Sequence, residues 1–232
     1  MPVDRFFYPH SLKVSAIVLE GDEYHHLSVM RIRPSEEIEI VNGEGEIAKA
    51  LVQSMSKNSA ELKIISHQLV SPPSYELILA QALTKPSNLE WIVEKGTELG
   101  ATAFWLFPGD RSEKNSLSEN QLKRLEHITI SALKQSGRPF LPKIELKKPL
   151  QTWTKPKGAL LFGSLSPSAP LLSKPSSPCI FVVGPEKGLS PEEINFLQQS
   201  LQAQGVKLHD NTLRAETAAL CALSQLSLLI YN

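Results

Sequence analysis

The chain has 232 residues, of which 41% are hydrophobic and 21% are charged. Its 24 Lys and Arg residues match its 24 Asp and Glu residues in number, so it has no formal net charge at neutral pH. This composition allows a sizeable core, and it excludes both a chain disordered by charge repulsion and a globally basic nucleic-acid-binding protein. Residues 123–157, with nine basic and two acidic side chains, either supply a local positive field or form a solvated helix face and a lysine-rich loop.

The sequence contains no pattern typical of a membrane protein. A membrane-spanning helix needs about 20 consecutive apolar residues. The most apolar stretch, residues 218–230, is interrupted by Ser224, Gln225 and Ser227, and the first residues lack the basic and apolar segments of a signal peptide. We therefore expect a cytoplasmic protein with no membrane association.

Cysteine and histidine residues do not indicate a metal site. Cys179 and Cys221 lie in apolar runs, and neither belongs to a cluster with the spacing of metal ligands, so we expect buried free thiols. His25 and His26 are adjacent, which makes their side chains point apart, and no third ligand is near them in the sequence. We expect no metal.

Residues 1–70 show short stretches typical of β-strands, and Asn42–Gly45 is typical of a hairpin connection. The predicted strands are Arg5–Phe7, Ala16–Leu19, Glu37–Val41, Ile47–Gln53 and Ala60–Ser66. The two prolines of Ser71–Ser74 cannot continue a strand ladder. These features predict a small β-barrel domain over residues 1–70 and a linker over residues 71–74.

Residues 75–232 alternate apolar strands with capped helices. The predicted strands are Leu77–Leu83, Ala103–Phe107, Ala159–Phe162, Cys179–Val183 and Val206–Leu208. The predicted helices have Ser87, Ser118 and Ser190 as N-caps, with Glu90, Gln121 and Glu193 three residues later, and the last helix spans Leu213–Ile230. The alternation predicts an α/β domain with a mostly parallel sheet, whose ligands bind at the carboxyl ends of the strands.

Two loops of this domain are candidates for chemistry. Gly184–Gly188 follows a buried strand and precedes a helix, and its glycines allow a ligand to approach the backbone closely. An ordinary turn between a strand and a helix has the same pattern, and the absence of both GxxxxGK[ST] and GxGxxG argues against ATP-driven and NAD-dependent chemistry. Leu208–Ala218 contains Arg214 and Glu216 at a helix entrance, where the alternative is a salt bridge or a capping role.

Taken together and in this order, several motifs resemble one family, the ribosomal small-subunit RNA uridine-N3 methyltransferases of the SPOUT superfamily. The matching stretches are Arg5–Phe7, His25–Arg33, Lys95–Gly100, Gln135–Pro139 with Pro142, Gly184–Ser190 and Leu213–Ala218. They occur in both predicted domains, so the resemblance is more specific than any single motif.

The resemblance implies a PUA-like barrel that helps to hold RNA, followed by a domain with an α/β trefoil knot that forms a homodimer. It also implies that the knotted domain binds S-adenosylmethionine in a bent conformation, mainly through backbone groups of three loops, which are Phe162–Gly163, Gly184–Gly188 and Leu208–Arg214. The implied cofactor-binding residues are Phe162, Gly163, Gly184, Pro185, Glu186, Gly188, Leu208, His209, Leu213 and Arg214.

The reaction implied is in-line transfer of the cofactor's methyl group to N3 of a uridine in 16S ribosomal RNA, within the small ribosomal subunit. The N3 proton must leave, so a cation that stabilises the anion is useful. We expect Arg138 and Arg214 in this role, with Glu216 orienting Arg214. We expect RNA contacts from Arg31, Arg33, Lys85, Lys95, Arg111 and Arg138, although Lys95 is equally typical of a solvated helix lysine.

Three residues depart from the family pattern. Lys187 replaces a glycine, and His209 and Asn211 replace a glycine and an arginine ahead of Thr212–Arg214. A side chain at position 209 narrows the pocket if the backbone there requires glycine. Two alternatives therefore stay open: methylation of another RNA position, such as a ribose 2′-oxygen, and an RNA-binding or assembly factor with weak or lost methyltransferase activity.

Overall fold

The computed structural model describes residues 4–231, so Met1, Pro2, Val3 and Asn232 lie outside it. The described chain forms two compact units. The first contains the residues up to Pro72 together with Ile130–Leu141, and the second contains Pro73–Thr129 and the residues from Pro142 onward. The first division lies inside the stretch predicted as a linker, but the sequence assigned residues 130–141 to the second domain.

The first unit is built on a five-stranded sheet with the order β1-β3-β4-β5-β2. Strand β1 is parallel to β3, and the other pairs are antiparallel. Alternate strand residues, such as Ile38, Ile40 and Leu62, are buried in one apolar core. The elements are β1 (Arg5–Phe7), β2 (Ala16–Glu20), α1 (Gly21–Val29), β3 (Glu37–Val41), β4 (Glu46–Met55) and β5 (Ser59–Leu69).

The predicted hairpin between β3 and β4 is confirmed. The Asn42 side chain accepts hydrogen bonds from the backbone N–H groups of Glu44, at 2.9 Å, and Glu46, at 3.0 Å, while Gly43 and Gly45 adopt positive φ angles. Helix α1 was not predicted. Only Leu27 of this short helix is buried, so the segment has no apolar periodicity from which to recognise it.

The second unit contains a six-stranded sheet with the order β11-β9-β10-β6-β7-β8. Every pair in it is parallel, which confirms the predicted sheet. The strands are β6 (Leu77–Ala82), β7 (Ala103–Phe107), β8 (Lys143–Leu146), β9 (Ala159–Gly163), β10 (Cys179–Val183) and β11 (Gln204–Val206). Its helices are α2 (Pro86–Glu98), α4 (Pro191–Gln199) and α5 (Ala215–Tyr231), with a 3-10 turn at Leu150–Thr152. Helix α3 (Glu119–Ser136) begins in this unit, and its residues from Ile130 onward belong to the first.

Both faces of this sheet are covered. Neighbouring strand residues such as Phe181 and Val182 belong to different apolar clusters, because successive side chains point to opposite faces. One cluster includes Ile92 of α2 and Leu223 of α5, and the other includes Leu197 of α4. The central strands β6 and β10 are therefore buried throughout, whereas the unpredicted β8 is a half-exposed edge strand.

Two of the three predicted helix caps are confirmed. Ser190 and Glu193 form a capping box at α4, and the Ser118 and Gln121 side chains each accept a hydrogen bond from the other's backbone N–H. The cap at Ser87 is wrong. Helix α2 begins with a proline at its first position, which needs no hydrogen-bond partner for its nitrogen, and the N-cap residue Lys85 makes no side-chain cap.

Within residues 4–231, no helix combines the length and the apolar character needed to cross a membrane. Cys179 is buried and Cys221 is half-buried, and both are free thiols. The same part of the chain contains no group of three or more His, Cys, Asp or Glu side chains arranged to hold a metal ion.

Candidate functional site

A cleft of about 460 Å³ opens in the second unit at the carboxyl ends of β9 and β10. This is the position at which ligands bind in open parallel sheets, and the volume is in the range of small-molecule sites. Its walls come from the end of β9, from the loop between β10 and α4, and from the loop between β11 and α5. The three loops implied by the resemblance therefore meet at one cavity.

The structure brings the predicted cofactor-binding residues together, with the exception of Arg214, which does not line the cleft. Those that line it are Phe162, Gly163, Gly184, Pro185, Glu186, Gly188, Leu208, His209 and Leu213. Arg111, predicted to contact RNA, also lines it. Sequence reasoning missed several lining residues, among them Ser164, Phe181, Leu189, Ile194, Gln198 and Ala218. Ile194 and Gln198 are one helical turn apart, and that spacing, which places both on one face of the helix, was the available signal in the sequence.

The loop between β10 and α4, residues 184–190, requires glycine at its first position. A Cβ atom on Gly184 would lie 2.5 Å from the backbone nitrogen of Leu189 and 2.8 Å from the carbonyl carbon of Gly188. Gly188 adopts a φ of 72°, and its N–H donates to the Pro185 carbonyl over 2.8 Å. The chain thus turns back on itself tightly enough to form a compact wall of the cleft.

Three hydrogen bonds fasten this loop, one through its own Glu186 side chain and two from side chains of other elements. The Glu186 carboxylate accepts the backbone N–H of Lys85, at 2.9 Å, at the start of α2, where the helix dipole favours a negative charge. Gln81 donates to the Gly184 carbonyl over 3.1 Å, and Arg111 donates to the Lys187 carbonyl over 3.1 Å. The loop between β10 and α4 is therefore held near its first residue, at its centre and at Glu186.

The start of α4 is also buried and polar. Ser190 and Glu193 are 5% and 0% exposed. Burial raises the pKa of the Glu193 carboxyl, while the donating N–H groups of Ser190 and Asp110 favour its charged form.

The loop between β11 and α5 makes fewer hydrogen bonds to other elements. Gln225 of α5 donates to the Leu208 carbonyl over 3.0 Å, and the Asn211 N–H donates to Nδ1 of His209 over 3.0 Å. Lys207 and Asp210 form an exposed ion pair at 2.5 Å, and the hydrogen bond from Lys207 lowers the pKa of Asp210. His209, Asp210 and Asn211 are all exposed.

The departures from the family pattern do not strain the backbone. Neither Lys187 nor His209 adopts a positive φ angle, so neither position requires glycine in this chain. Lys187 and His209 are exposed at the edge of the cleft. The cavity accommodates both side chains.

The predicted catalytic residues lie in different parts of the chain. Arg214 immediately precedes α5, where its carbonyl accepts the N–H of Ala218 over 2.8 Å, and its side chain is exposed. Glu216 is in the first turn of that helix, and within residues 4–231 no ion pair joins it to Arg214. Arg138 follows α3, is half-buried and belongs to the first unit.

Most of the predicted RNA-binding side chains are accessible. Arg31 and Arg33 are exposed after α1 in the first unit, and Lys85 and Arg111 are exposed in the second. Lys95 differs, because its ammonium group pairs with Glu94 and Glu98, each at 2.8 Å. Those hydrogen bonds raise the pKa of Lys95 and balance its charge, in agreement with the alternative of a helix-surface lysine.

The parallel sheet and the cleft define an α/β protein that binds a small molecule at the ends of its strands. Residues 71–227 match the RNA methyltransferase domain family, and residues 19–65 match the RNA methyltransferase PUA domain family. The chain therefore belongs to the RNA methyltransferase family, and the predicted family, fold class and type of enzyme are confirmed.

Relatives and solved structures agree with this assignment. Ribosomal RNA small subunit methyltransferase E of Bacillus subtilis is 31% identical over 230 residues, which cover 90% of this chain and 88% of that protein. The protein of the same name from Mycobacterium tuberculosis is 27% identical over 243 residues, covering 98% and 92%. The crystal structure of ribosomal RNA small subunit methyltransferase E from Neisseria gonorrhoeae bound to S-adenosyl methionine superposes with a TM-score of 0.89 at 28% identity, covering 98% of each chain.

Proposed function

We propose that this protein transfers a methyl group from S-adenosylmethionine to N3 of a uridine in 16S ribosomal RNA. The observation that supports this most directly is the convergence of the three predicted loops on one cleft in a chain of the RNA methyltransferase family. The similarity to small-subunit methyltransferases over nearly the whole chain supports the choice of RNA. In keeping with that substrate, we propose that the protein acts in the cytoplasm, on RNA within the small ribosomal subunit.

The cleft fits this cofactor. Its walls combine apolar side chains, such as Phe162, Leu189 and Leu208, with loop backbone, which suits a ligand that has a flat aromatic base and a polar amino-acid end. Gly184 packs closely against Leu189 and has no side chain, so a ligand can approach the backbone at this wall of the cleft. When bound, S-adenosylmethionine supplies an electrophilic methyl group on its sulfonium centre.

The residues of this chain contribute mainly by placement. A fixed loop that holds one reactant against another lowers the entropic part of the barrier, and a cation stabilises the uracil anion that forms when the N3 proton leaves. We assign the cationic role to Arg214 and Arg138. Glu216 assists indirectly, since a carboxylate in the first turn of α5 stabilises the helix that follows Arg214.

RNA binding is assigned to the exposed cations Arg31, Arg33, Lys85 and Arg111, with Arg138. Contacts of this kind give an affinity that falls steeply with salt. We also propose a homodimer, as the family resemblance implies, with Trp91 of α2 and Leu228 of α5, which are 49% and 65% exposed, as candidate interface side chains. Sedimentation equilibrium showing a monomer at micromolar concentration would contradict the dimer.

The decisive experiment is transfer of labelled methyl from S-adenosylmethionine to small ribosomal subunits purified from a strain that lacks this gene, followed by nucleoside analysis. We expect label in N3-methyluridine. Label in another nucleoside would mean that the protein methylates a different atom from the one assigned. Cofactor binding without label would redirect the search to other RNAs, and failure to bind the cofactor at all would favour the assembly factor.

The assigned roles of the two arginines have their own test. Arg214→Ala and Arg138→Ala are expected to lower the single-turnover rate of methylation by at least tenfold at saturating cofactor and RNA, in the range typical of lost transition-state charge stabilisation. Lys123→Ala, on an exposed lysine of α3, is the control. An unchanged rate for either arginine variant would remove that residue from the mechanism.

A further inference from the structure

Asp110 lies in the loop that follows β7, outside the lining of the cleft, yet it joins three elements of the second unit. Its carboxylate accepts the Ser190 hydroxyl at 2.6 Å and the Gln151 amide at 2.9 Å to each oxygen. Its backbone N–H donates to the Glu193 carboxylate over 3.1 Å. A single residue thus connects the loop after β7, the 3-10 turn and the start of α4.

The bond to Ser190 is strong and directional. A hydroxyl has one proton to donate, and Ser190 gives it to Asp110 while its oxygen accepts the Glu193 N–H at 3.0 Å. A distance of 2.6 Å is typical of a charge-assisted bond to a carboxylate. Because the Ser190 residue is buried, loss of this acceptor leaves a polar group whose bonds water cannot easily replace.

Arg111, the residue after Asp110, makes a second contact with the loop between β10 and α4. Arg111 donates to the Lys187 carbonyl over 3.1 Å, so the neighbours Asp110 and Arg111 grip the loop between β10 and α4 at its centre and at its end. Between those points lie Gly188 and Leu189, both of which line the cleft. A shift of the start of α4 therefore changes the wall of the site.

Asp110 itself contributes little to the core. It is exposed and belongs to neither apolar cluster of the sheet, so its replacement removes hydrogen bonds without creating a cavity. Its effect is therefore expected in the geometry of the loop more than in the stability of the fold.

We propose that Asp110 is a positioning residue for cofactor binding: it fixes Ser190, and through it the loop between β10 and α4, in the conformation that forms the cleft. This rests on the proposed function, in which S-adenosylmethionine occupies that cleft. Asp110 acts through Ser190 and does not touch the cofactor.

The test is calorimetric titration of the full-length variants with S-adenosylmethionine, together with steady-state kinetics and thermal unfolding. Asp110→Ala is expected to raise the Kd and the KM for the cofactor about tenfold, while kcat at saturating substrate changes less than about twofold. Asp110→Asn retains one acceptor oxygen and is expected to raise the Kd about threefold. The midpoint of thermal unfolding should fall by no more than a few degrees in either variant.

Two comparisons isolate the Ser190 contact. Glu192→Gln removes an exposed carboxylate from the same first turn of α4, and cofactor affinity should stay within about twofold of wild type. In a double-mutant cycle, Ser190→Ala combined with Asp110→Ala should weaken binding little more than Ser190→Ala alone, because the two residues act as a unit.

The outcomes distinguish failure of the role assigned to Asp110 from failure of the proposed function. If the wild type binds the cofactor and Asp110→Ala binds equally well, or if the two substitutions add independently, Asp110 is not a positioning residue and the proposed function is unaffected. A fall in kcat with an unchanged KM, or global unfolding of both Asp110 variants, also overturns the proposal. If the wild type fails to bind S-adenosylmethionine, the proposed function fails, and the role of Asp110 fails with it.

Discussion

The two long loops of the cleft are built by different means. Residues 184–190 contain two structurally required glycines. They are fastened by side chains from β6 and the loop after β7, and by the bond from the Lys85 backbone N–H to the Glu186 carboxylate. Residues 208–214 are mostly exposed, and their main tie to another element is the bond from Gln225 to the Leu208 carbonyl. The conformation of residues 184–190 is therefore fixed by backbone constraint, whereas that of residues 208–214 depends on a few hydrogen bonds.

This difference explains where the chain tolerates departures from its family. His209 and Asn211 lie in the weakly tied loop, where no positive φ is needed. Lys187 lies in the constrained loop, but at an exposed position that contributes its carbonyl to the fastening and not its side chain. Gly184 and Gly188, whose geometry excludes other residues, are retained. The positions that differ from the family pattern are therefore those where the backbone does not need glycine, whether or not they lie near the ligand.

The largest expected effect tests the constrained wall directly. In Gly184→Ala the added Cβ meets the backbone of Leu189 at 2.5 Å, and backbone cannot rotate away as a side chain can. Overpacking of this kind costs about 1–3 kcal/mol, and the middle of that range corresponds to a Kd for S-adenosylmethionine about 30-fold higher. Calorimetric titration measures it directly.

The matched control is Gly163, a glycine of the cleft at the end of β9. A Cβ there meets only Leu208 Cδ1, at 3.7 Å, which is ordinary van der Waals contact. We expect Gly163→Ala to bind the cofactor within about threefold of wild type. Equal losses for Gly184→Ala and Gly163→Ala would show that any added methyl group blocks the ligand, and the contrast between the two walls would be lost.

A smaller effect is expected from Gln225, whose amide makes the shorter of the two side-chain hydrogen bonds from α5 to the Leu208 carbonyl. Gln225→Ala removes the donor to the Leu208 carbonyl, a hydrogen bond worth about 0.5–1.5 kcal/mol net, so cofactor affinity should fall about fivefold. Ser224→Ala, on the exposed side of the same helix, should leave it unchanged. A loss as large as that of Gly184→Ala would mean that this loop is as tightly specified as the first.

The sequence predicts those parts of the molecule that depend on local chemistry. Ser190 and Glu193 are three residues apart, and their capping box is visible as a pattern. The assignment of residues 130–141 to the first unit, in contrast, depends on contacts between segments distant in sequence. The expectation of a trefoil knot came only from the resemblance, since general rules of topology disfavour threading.

The candidate site divides in the same way. The loops that line the cleft were located through the family resemblance, and all the predicted cofactor-binding residues except Arg214 line it. Asp110 and Gln81 contact the loop between β10 and α4 from 80 and 103 residues away, and nothing in their local sequence predicts those partners. Lys95 is the opposite case, because Glu94, Glu98 and Trp91 all lie within four residues of it on one helix, and the sequence alone indicates the surface pairing.

The smallest expected effect concerns His209, the clearest departure in the weakly tied loop. His209→Ala removes only an exposed acceptor for the Asn211 N–H, and water can replace that bond, so we expect the Kd for S-adenosylmethionine to change less than about twofold. His209→Gly restores the family residue but frees the backbone, which costs about 0.4–1 kcal/mol, so it should bind two- to fivefold more weakly than His209→Ala. Calorimetric titration of both variants decides the point. Tenfold tighter binding by either would instead show that the imidazole narrows the cleft, and that side-chain bulk, not backbone constraint, limits this wall.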